Sequence, residues 1–299
     1  MIYYLPNYYK QKGYLSMASS LNLKTDLLIF DVDGVLIDTS MSYPLVVAEA
    51  IRWVWKYVLD HHVDAPGFTL DHFYATKVFP PFNDDYDIAW SFLCATLAQE
   101  TESLRRSAPS LKEWKKLLET SQGMDIEEWV KKNVGDRISR LVVRRICEEL
   151  YYGAEKIGSI MGESPLFITS GKGYWREEKP QISMHWSDLS LPVGIYTGRS
   201  KGEMKLALQL LGWEDLPEEQ IITPESGITK PSPQGIARLC TLFEANNPIF
   251  FGDTESDRQA LLQFGKGQFI AIGALLPHWS MQFNFLSEAL SFLKNKMIL

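Results

Sequence analysis

The order of strand-like and helix-like segments is the feature that most constrains the fold of this chain. Between residues 192 and 273, apolar runs typical of buried strands are PVGIYTGR, EQIIT, NPIFFGD and GQFIAIG. Helical periodicity lies between them, in KGEMKLALQLLGW, SPQGIARLCTLF and ESDRQALLQFG. Repeated strand–helix units predict a parallel sheet with helices on both faces, in which GQFIAIG is the last strand.

One further strand is expected far from the others, in the run DLLIFD that ends at Asp31. The chain that follows it has helical spacing and no convincing strand between residues 40 and 160. The opening strand therefore belongs with the later ones. We expect an α/β core formed by residues 21–40 and 181–299, with a helical domain inserted over residues 41–180.

Apolar spacing within the insertion predicts several helices. The first carries Leu45, Ala48, Ile51, Trp55 and Val58 on its inner face. Residues 64–83 are expected to form a loop, and the next helix to begin near Asp84. Asp136 is expected to cap a long helix that ends near Gly153. The inward side chains of that helix would be Ile138, Leu141, Val142, Ile146 and Leu150.

Composition narrows the environment and the partners of the chain. Its formal net charge of -7 disfavours nonspecific binding to nucleic acid or to an anionic membrane. The cysteines are Cys94, Cys147 and Cys240, and their scattered positions indicate free thiols in a reducing compartment. Residues 1–20 lack the pattern of a signal peptide and predict a poorly ordered arm. A cytoplasmic protein is expected.

Aspartates follow the predicted strands at the edge of the sheet where ligands of open parallel sheets bind. Asp31 closes the first strand and Asp253 closes IFFGD, while Asp33 and Asp257 come two and four residues after them. Together these acids would repel one another in a partly dry cleft. A hard divalent cation with oxygen ligands removes the repulsion, and Mg²⁺ fits best. The sequence therefore predicts a magnesium site.

The same acids are suited to covalent chemistry on phosphorus. Asp31 could attack a phosphoryl group and form an aspartyl intermediate. Asp33 could protonate the leaving oxygen and later take a proton from water.

Groups that could bind the phosphate lie in the later loops. Lys230 in TKPSP would supply positive charge to a transferring phosphoryl group. Thr197 closes GIYT and, with the amides of Gly198 and Arg199, offers hydrogen bonds at a helix start. The side chain of Arg199 could contact the phosphate or pair with an acid on the surface, and the sequence leaves both open.

At this point the sequence resembles the haloacid dehalogenase-like hydrolase superfamily. DVDGVLIDT, IYTGR, KPSP and GDTESD occur in this order and are similar to its four motifs. The helical insertion after the first motif looks like that of the subfamily with an α-helical cap. The resemblance implies a Rossmann-like, doubly wound parallel sheet, an inserted all-α cap domain, dependence on Mg²⁺ and phosphoryl transfer.

The resemblance also implies roles for individual residues. It places the nucleophile on Asp31 and the acid/base on Asp33, whose main-chain carbonyl would bind the metal together with Asp253. The threonine of IYTGR and the lysine of KPSP would bind phosphate. Asp257 would support the metal or that lysine. True dehalogenases of the superfamily lack the second aspartate, so Asp33 favours phosphate chemistry.

Candidate substrate contacts lie in the insertion. FNDDYDIAW, with REEKP before the second half of the core, also looks like a branch of the superfamily, which would bring Asn83, Asp84 and Asp85 to the substrate, although the same three residues suit a capped helix start. The segment SGKG is too short for a P-loop, and it is interpreted as a hinge or cap loop in which Lys172 is a candidate contact.

The sequence as a whole predicts a Mg²⁺-dependent phosphatase acting on a small phosphorylated metabolite. A phosphomutase on the same scaffold stays open, because the motifs do not show whether a closed cap excludes water. A binding or regulatory protein without turnover is the alternative from another class. Intact Asp31 and Asp33 speak against it, since a binder needs no such pair. The oligomeric state is left open.

Overall fold

The computed structural model describes residues 25–276 and 279–296, so the arm expected over residues 1–20 lies outside the described residues. The strands of the described residues are β1 (Leu27–Phe30), β2 (Ile37–Asp38), β3 (Lys179–Pro180), β4 (Val193–Tyr196), β5 (Ile221–Ile222), β6 (Pro248–Gly252), β7 (Gln268–Ile272) and β8 (Gln282–Phe283). The helices are α1 (Tyr43–Trp53), α2 (Leu70–Lys77), α3 (Asp85–Leu97), α4 (Leu104–Ser107), α5 (Leu111–Leu118), α6 (Ile126–Asn133), α7 (Arg140–Tyr152), α8 (Ile157–Met161), α9 (Lys201–Leu211), α10 (Gln234–Leu242), α11 (Glu255–Phe264) and α12 (Leu286–Asn295).

The central sheet is parallel, with the strand order β5-β4-β1-β6-β7-β8. From β1 the chain adds β4 and β5 on one side and then crosses over to add β6, β7 and β8 on the other. This is the doubly wound arrangement of a Rossmann-like sheet, and its switch point lies between β1 and β6. The predicted α/β fold class is confirmed.

Apolar side chains fill both faces of this sheet. Successive residues of β1 alternate between two clusters: Leu28 and Phe30 pack on one face, Leu27 and Ile29 on the other. Every residue of β1, β4 and β6 is buried, as expected for strands covered by helices on both sides.

A third apolar cluster is built almost entirely by the helical insertion. It contains buried side chains from Tyr43 to Trp175, together with Leu206 of α9. Trp114 and Trp129 lie at its centre in edge-on ring contacts with Phe82. The described part of the insertion thus has an aromatic core of its own.

Two short strands join the insertion to the sheet. β2 lies in the chain leaving the sheet and β3 in the chain returning to it, and the two pair as antiparallel strands. Both connections therefore pass through one ribbon.

The prediction of a loop over residues 64–83 is wrong. It contains α2, which begins with a capping box in which Thr69 and His72 exchange hydrogen bonds. The usual partner of a capping threonine is Glu or Gln, so histidine in that position hid the start of the helix.

Three details of the predicted helices are also corrected. Ser139, not Asp136, caps α7, because its hydroxyl accepts a hydrogen bond from the amide of Val142. Leu141, expected inward, is 77% exposed, since it lies in the first turn on the outer side of α7. Val58 is 40% exposed in a π-helical turn that follows α1, which rotates it off the expected face.

The end of the chain carries elements that the sequence analysis missed. GQFIAIG is not the last strand, because β8 pairs with β7 beyond it and α12 packs Leu286 and Leu293 into the core. Across the described residues we find no helix of the length and apolarity that crossing a membrane requires.

Candidate active site

The carboxyl edge of the sheet receives polar side chains from three neighbouring strands. Asp31 follows β1, Thr197 follows β4 and Asp253 follows β6. Because β1 lies between β4 and β6, these residues meet near the switch point, where open α/β sheets bind ligands. All three are buried.

Three aspartates form a tight cluster at this edge: Asp31, Asp253 and Asp257. One carboxylate oxygen of each lies within 4.8 Å of those of the other two. Burial raises the pKa of Asp31 to about 7, although Lys230 opposes the shift. Burial, Asp31 and Asp257 raise the pKa of Asp253 well above its ordinary range. The cluster is therefore short of positive charge.

Lys230, which precedes α10, supplies part of that charge. Its Nζ lies 2.7 Å from Asp31 Oδ1 and 2.6 Å from Asp257 Oδ1. Burial disfavours the ammonium, but the two aspartates outweigh burial and raise the pKa of Lys230. The second oxygen of Asp257 accepts hydrogen bonds from the amide and hydroxyl of Thr254, at 3.1 and 2.6 Å. Asp257 thus holds Lys230 and caps α11, which fits its expected support of the lysine better than direct metal binding.

One carboxylate oxygen of Asp253 is buried without a hydrogen-bond partner among the described residues, namely Oδ1. A buried carboxylate oxygen in this state costs free energy unless an ion or a donor compensates it. The backbone at Gly34, with φ of +72°, leaves room for Asp253, since a Cβ there would lie 2.2 Å from Asp253 Oδ2. Asp31 and Asp253 therefore fit a divalent cation of the Mg²⁺ type.

Asp33 does not share the cluster of the other three aspartates. Its Oδ1 accepts a hydrogen bond of 2.8 Å from Arg199 Nε and lies 2.6 Å from Arg199 Nη2. The Asp33 side chain is 28% exposed. The expectation of four clustered carboxylates is thus wrong for Asp33, because Arg199 draws its side chain aside. Contact between Asp33 and a metal would have to come from its main-chain carbonyl.

The side chain of Arg199 is fully buried, and only part of its contacts was predicted from the sequence. Besides Asp33, it donates hydrogen bonds to Glu178 Oε2 at 3.0 Å and to the hydroxyl of Tyr151 at 3.1 Å. Arg199 therefore pairs with acids, as one of the two alternatives expected, but the pairing lies inside the protein and not on its surface. Glu178 lies in REEKP but had no predicted role, and Tyr151 was missed because a lone tyrosine in a helical segment carries no motif.

The turn before Arg199 is narrow. Thr197 Oγ1 accepts a hydrogen bond of 3.1 Å from the amide of Arg199. A Cβ at Gly198 would lie 3.0 Å from Asn83 Nδ2, so a side chain there would crowd the insertion. Asn83 Oδ1 also accepts a hydrogen bond of 2.9 Å from Ser256 of α11. The structure thus brings Asn83 directly onto the phosphate-binding loops predicted from the sequence.

A cavity of about 460 Å³ separates the insertion from the carboxyl edge of the sheet. Of the candidate residues, it is lined by Asp31, Asp33, Asn83, Asp84, Asp85, Gly198, Arg199, Lys230 and Asp253. Lys172 is exposed and is not among the residues that line the cavity. Lys172 lies in the returning chain, where Gly173 packs against the backbone of Tyr152.

Helix α3 presents two of the cavity acids. Asp84 caps this helix by accepting a hydrogen bond of 3.0 Å from the amide of Tyr86, and it pairs with Arg144. Asp85 Oδ1 lies 2.8 Å from Lys77 Nζ, and both side chains are almost buried. Burial raises the pKa of Asp85 to about 6, although Lys77 opposes the shift. Lys77 also lines the cavity, and it was not predicted as a site residue because a loop, not α2, was expected in this segment.

Comparison with known proteins agrees with this geometry. The family model of haloacid dehalogenase-like hydrolases matches residues 25–265. No curated protein matches the sequence. The solved structure of phosphatase Tt82 from Thermococcus thioreducens is 22% identical, with a TM-score of 0.58 over 84% of this chain and 94% of that one. A protein from Lactobacillus delbrueckii subsp. bulgaricus, provisionally named a phosphoglycolate phosphatase, is 14% identical, with a TM-score of 0.54 over 92% of this chain and 99% of that one.

The family match spans most of the chain, from the strand that carries Asp31 to the end of α11. The chain belongs to the haloacid dehalogenase-like hydrolase family. It is a hydrolase with the α/β fold of that family, and the similar solved structures share this fold.

Proposed function

We propose that this hydrolase is a Mg²⁺-dependent phosphatase that cleaves a phosphate monoester of a small metabolite. The observation that carries the proposal is the buried Asp31 carboxylate, 2.7 Å from Lys230 and clustered with the unpartnered oxygen of Asp253. A nucleophile, a cation and an incomplete metal ligand set are the groups that phosphoryl transfer requires. The similar fold of a phosphatase, Tt82, supports the same chemistry.

In the first step Asp31 attacks phosphorus. Lys230 holds Oδ1 of Asp31, so Oδ2 is the proposed attacking atom. The new bond joins Asp31 to phosphorus, and the bond from phosphorus to the leaving oxygen breaks. Asp33, which lines the same cavity, gives its proton to that oxygen.

In the second step water cleaves the aspartyl phosphate. Asp33, now ionised, takes a proton from the water as it attacks phosphorus. Inorganic phosphate leaves, Asp31 regains its carboxylate and Asp33 its proton, so the cycle closes without a further reactant.

Phosphate binding is assigned to Lys230, to Thr197 and to the amide of Gly198. Lys230 is held between Asp31 and Asp257, which fixes its ammonium beside the attacking carboxylate. The guanidinium of Arg199 is saturated by Asp33, Glu178 and Tyr151, so its contacts favour a role other than phosphate binding.

A divalent cation would be held by Asp31, by Asp253 and by the main-chain carbonyl of Asp33. When bound, it neutralises the carboxylates and polarises a phosphoryl oxygen. Asp257 would support this site by keeping Lys230 in place.

Residues 41–180 are proposed to act as the cap over this site. They supply most of one wall of the cavity and contact the core through Asn83 and through the hydrogen bond from Tyr86 to Glu203. A volume of about 460 Å³ suits a small metabolite. The net charge of -7 disfavours nucleic acid as substrate. Three buried free cysteines support a cytoplasmic location.

The proposal is tested by measuring phosphate release from a panel of phosphorylated metabolites and from an aryl phosphate, with Mg²⁺ and with excess chelator. We expect phosphate release in the presence of Mg²⁺ and none with excess chelator. Isomerised product without free phosphate would indicate a phosphomutase instead. Tight binding of a phosphorylated metabolite without any turnover would indicate a binding protein.

The intermediate is tested with Asp33→Asn. An activated aryl phosphate should still transfer its phosphoryl group, because its leaving group departs without a proton. Hydrolysis should then be slow, by about 10²–10⁴-fold, because no base activates water. A burst of phenol and a label mapped to Asp31 are expected. A label on a serine or histidine contradicts the mechanism.

A further inference from the structure

A buried network of polar side chains lies where the two connections between the sheet and the insertion meet. Ser42 precedes α1 in the outgoing connection, and Glu178 precedes β3 in the returning one. Arg199 follows β4 of the core, while Tyr151 lies in the last turn of α7 of the insertion. Each of these four side chains is buried. Residues from core, insertion and both connections therefore meet at one point.

Arg199 is the centre of this network. Its Nε and Nη2 hold Asp33 Oδ1, at 2.8 and 2.6 Å, while Nη2 also reaches Glu178 Oε2 at 3.0 Å. Nη1 donates to the Tyr151 hydroxyl at 3.1 Å. A planar guanidinium with fixed donors can serve these acceptors together, whereas an ammonium cannot.

Glu178 is in turn fixed by both sides of the junction. Its Oε1 accepts hydrogen bonds of 3.0 Å from Ser42 Oγ and of 3.0 Å from the Tyr151 hydroxyl. Both oxygens of this buried carboxylate are thereby satisfied, which a buried charge requires. Moving either connection would disturb the contacts that hold Arg199.

Aromatic rings set the plane of the guanidinium. The Arg199 Cζ lies 5.4 Å from the centre of the Tyr43 ring, and Tyr43 stacks on Tyr151 at 4.9 Å. Both tyrosines belong to the insertion, in α1 and α7. The orientation of Arg199 thus depends on how the insertion sits against the core.

We propose that Arg199 and Glu178 are positioning residues that aim the Asp33 carboxylate for proton transfer and make its orientation depend on the seating of the cap. This rests on the proposed function, in which Asp33 protonates the leaving oxygen. Arg199 does not touch the reacting atoms. It acts by restricting Asp33 to one orientation when the connections are in the arrangement seen here.

If Arg199 and Glu178 position Asp33, the effect of changing them on kcat/KM should depend on the leaving group of the substrate. The value of kcat/KM reports steps up to departure of the leaving group, whereas kcat also includes hydrolysis of the aspartyl phosphate. A poorly aimed Asp33 should therefore reduce kcat/KM for an alkyl phosphate, which needs the proton. The value for 4-nitrophenyl phosphate should change little.

The test compares glycerol 2-phosphate, phenyl phosphate and 4-nitrophenyl phosphate in wild type, Arg199→Lys and Glu178→Gln, all with Mg²⁺. For Arg199→Lys we expect kcat/KM to fall about 10²-fold on glycerol 2-phosphate and less than about 3-fold on 4-nitrophenyl phosphate. Glu178→Gln keeps Arg199 and should show the same trend with a smaller loss, about 5-fold. Arg176→Lys is the matched control, since Arg176 pairs with Glu155 at 2.5 Å in the same returning connection but outside the network.

Equal losses on all three substrates would overturn the proposal and leave a purely structural role. A raised KM for every substrate, with weaker inhibition by inorganic phosphate, would show that Arg199 binds phosphate and would also overturn it. Thermal melting identifies any variant that does not fold, and Glu178→Gln then decides the outcome by itself.

A crystallographic readout is independent of activity. The Asp33 carboxylate should leave its single orientation in crystals of Arg199→Lys or Glu178→Gln, and an unchanged Asp33 contradicts the positioning role. If wild type cleaves none of the three esters, the phosphatase proposal fails. The crystal structures still decide the inference about Asp33 in that case.

Discussion

The core edge and the cap wall of the cavity both carry charged side chains but balance them differently. In the core, Asp31, Asp253 and Asp257 share Lys230, and Asp253 keeps an oxygen without a partner among the described residues. In the cap, acids and bases are matched in pairs: Lys77 with Asp85 and Arg144 with Asp84 at the cavity, and Arg140 with Asp87 outside it.

The difference supports the proposal that the reaction takes place at the core edge. Paired charges stabilise a local structure and need nothing further, whereas a buried cluster with excess negative charge is completed only by a ligand. We therefore expect substitutions in the core cluster to act on chemistry and metal binding, and substitutions in the cap pairs to act on stability and substrate preference.

The largest effect is expected from a comparison of buried acids in the two regions. Asp31→Asn removes the proposed nucleophile and should lower kcat on the order of 10⁶-fold. Asp87→Asn weakens the 2.6 Å contact with Arg140 in the cap, which should lower the free energy of unfolding by about 1–3 kcal/mol and leave kcat nearly unchanged. Steady-state kinetics and denaturant melts measure both. Substantial activity in Asp31→Asn would remove the basis of the comparison.

Metal binding should depend on the core cluster in the same way. Mg²⁺ at 100 times its dissociation constant should stabilise the wild type by about 2.7 kcal/mol. Asp253→Asn should lose most of that gain, together with its activity. Glu255→Gln, two residues along the chain in α11, is the matched control and should keep the gain. Calorimetric melts with Mg²⁺ and with chelator measure this gain in stability. An equal gain in Asp253→Asn and in Glu255→Gln argues against the assigned site.

The contrast also explains which parts of the fold could be predicted. The parallel strands were recognisable because fully buried strands are continuous apolar runs, as in LLIF and PIFF. Strands β2, β3 and β8 have two residues each, and unlike the equally short β5 in EQIIT they lie outside the strand–helix alternation. Helix α2 was missed because an unusual cap from His72 and packing against the rest of the insertion stabilise a segment with little amphipathic pattern.

The site residues also divide into those that a local sequence pattern predicts and those that it does not. Asp31, Lys230 and Asp253 come from motifs at strand ends, where backbone geometry alone decides which residues meet. Lys77 and Glu178 reach the site through the packing of the insertion, which no local spacing encodes. The expected place of Asp33 in the acid cluster was wrong for a different reason: Arg199 of the core, 166 residues away in the chain, pairs with its side chain.

Intermediate effects are expected at the cap pair that faces the core. Lys77→Met leaves the nearly buried Asp85 without its 2.8 Å partner and should destabilise the protein by about 3 kcal/mol. The double variant Lys77→Met/Asp85→Leu should recover most of this loss. We expect both to change the relative kcat/KM among phosphorylated metabolites about 10-fold, while an aryl phosphate reacts nearly as before. An unchanged substrate profile would mean that the pair is only structural.

The smallest effect concerns a cap acid away from the cavity, Glu148 of α7. Burial raises its pKa to about 7, although Arg144, at 3.9 Å, opposes the shift. The folded protein therefore binds a proton that the unfolded chain releases near its ordinary pKa of 4.5. The stabilisation is complete below that value and is lost as the pH rises through about 7.

Glu148→Gln cannot titrate, so it isolates this contribution. The free energy of unfolding of the wild type, relative to Glu148→Gln, should fall by about 1–3 kcal/mol between pH 5 and pH 8, because the folded protein alone holds this proton over most of that interval. Urea melts at the two pH values measure the difference, with chelator present so that metal binding does not contribute. Arg144 pairs with Asp84 at the cavity as well as with Glu148, and Glu148→Gln leaves the pair with Asp84 in place. We therefore expect kcat for an aryl phosphate to be the same in both proteins. A difference in stability that does not change with pH would show that Glu148 is ionised in the folded cap, and that the cap balances even this acid.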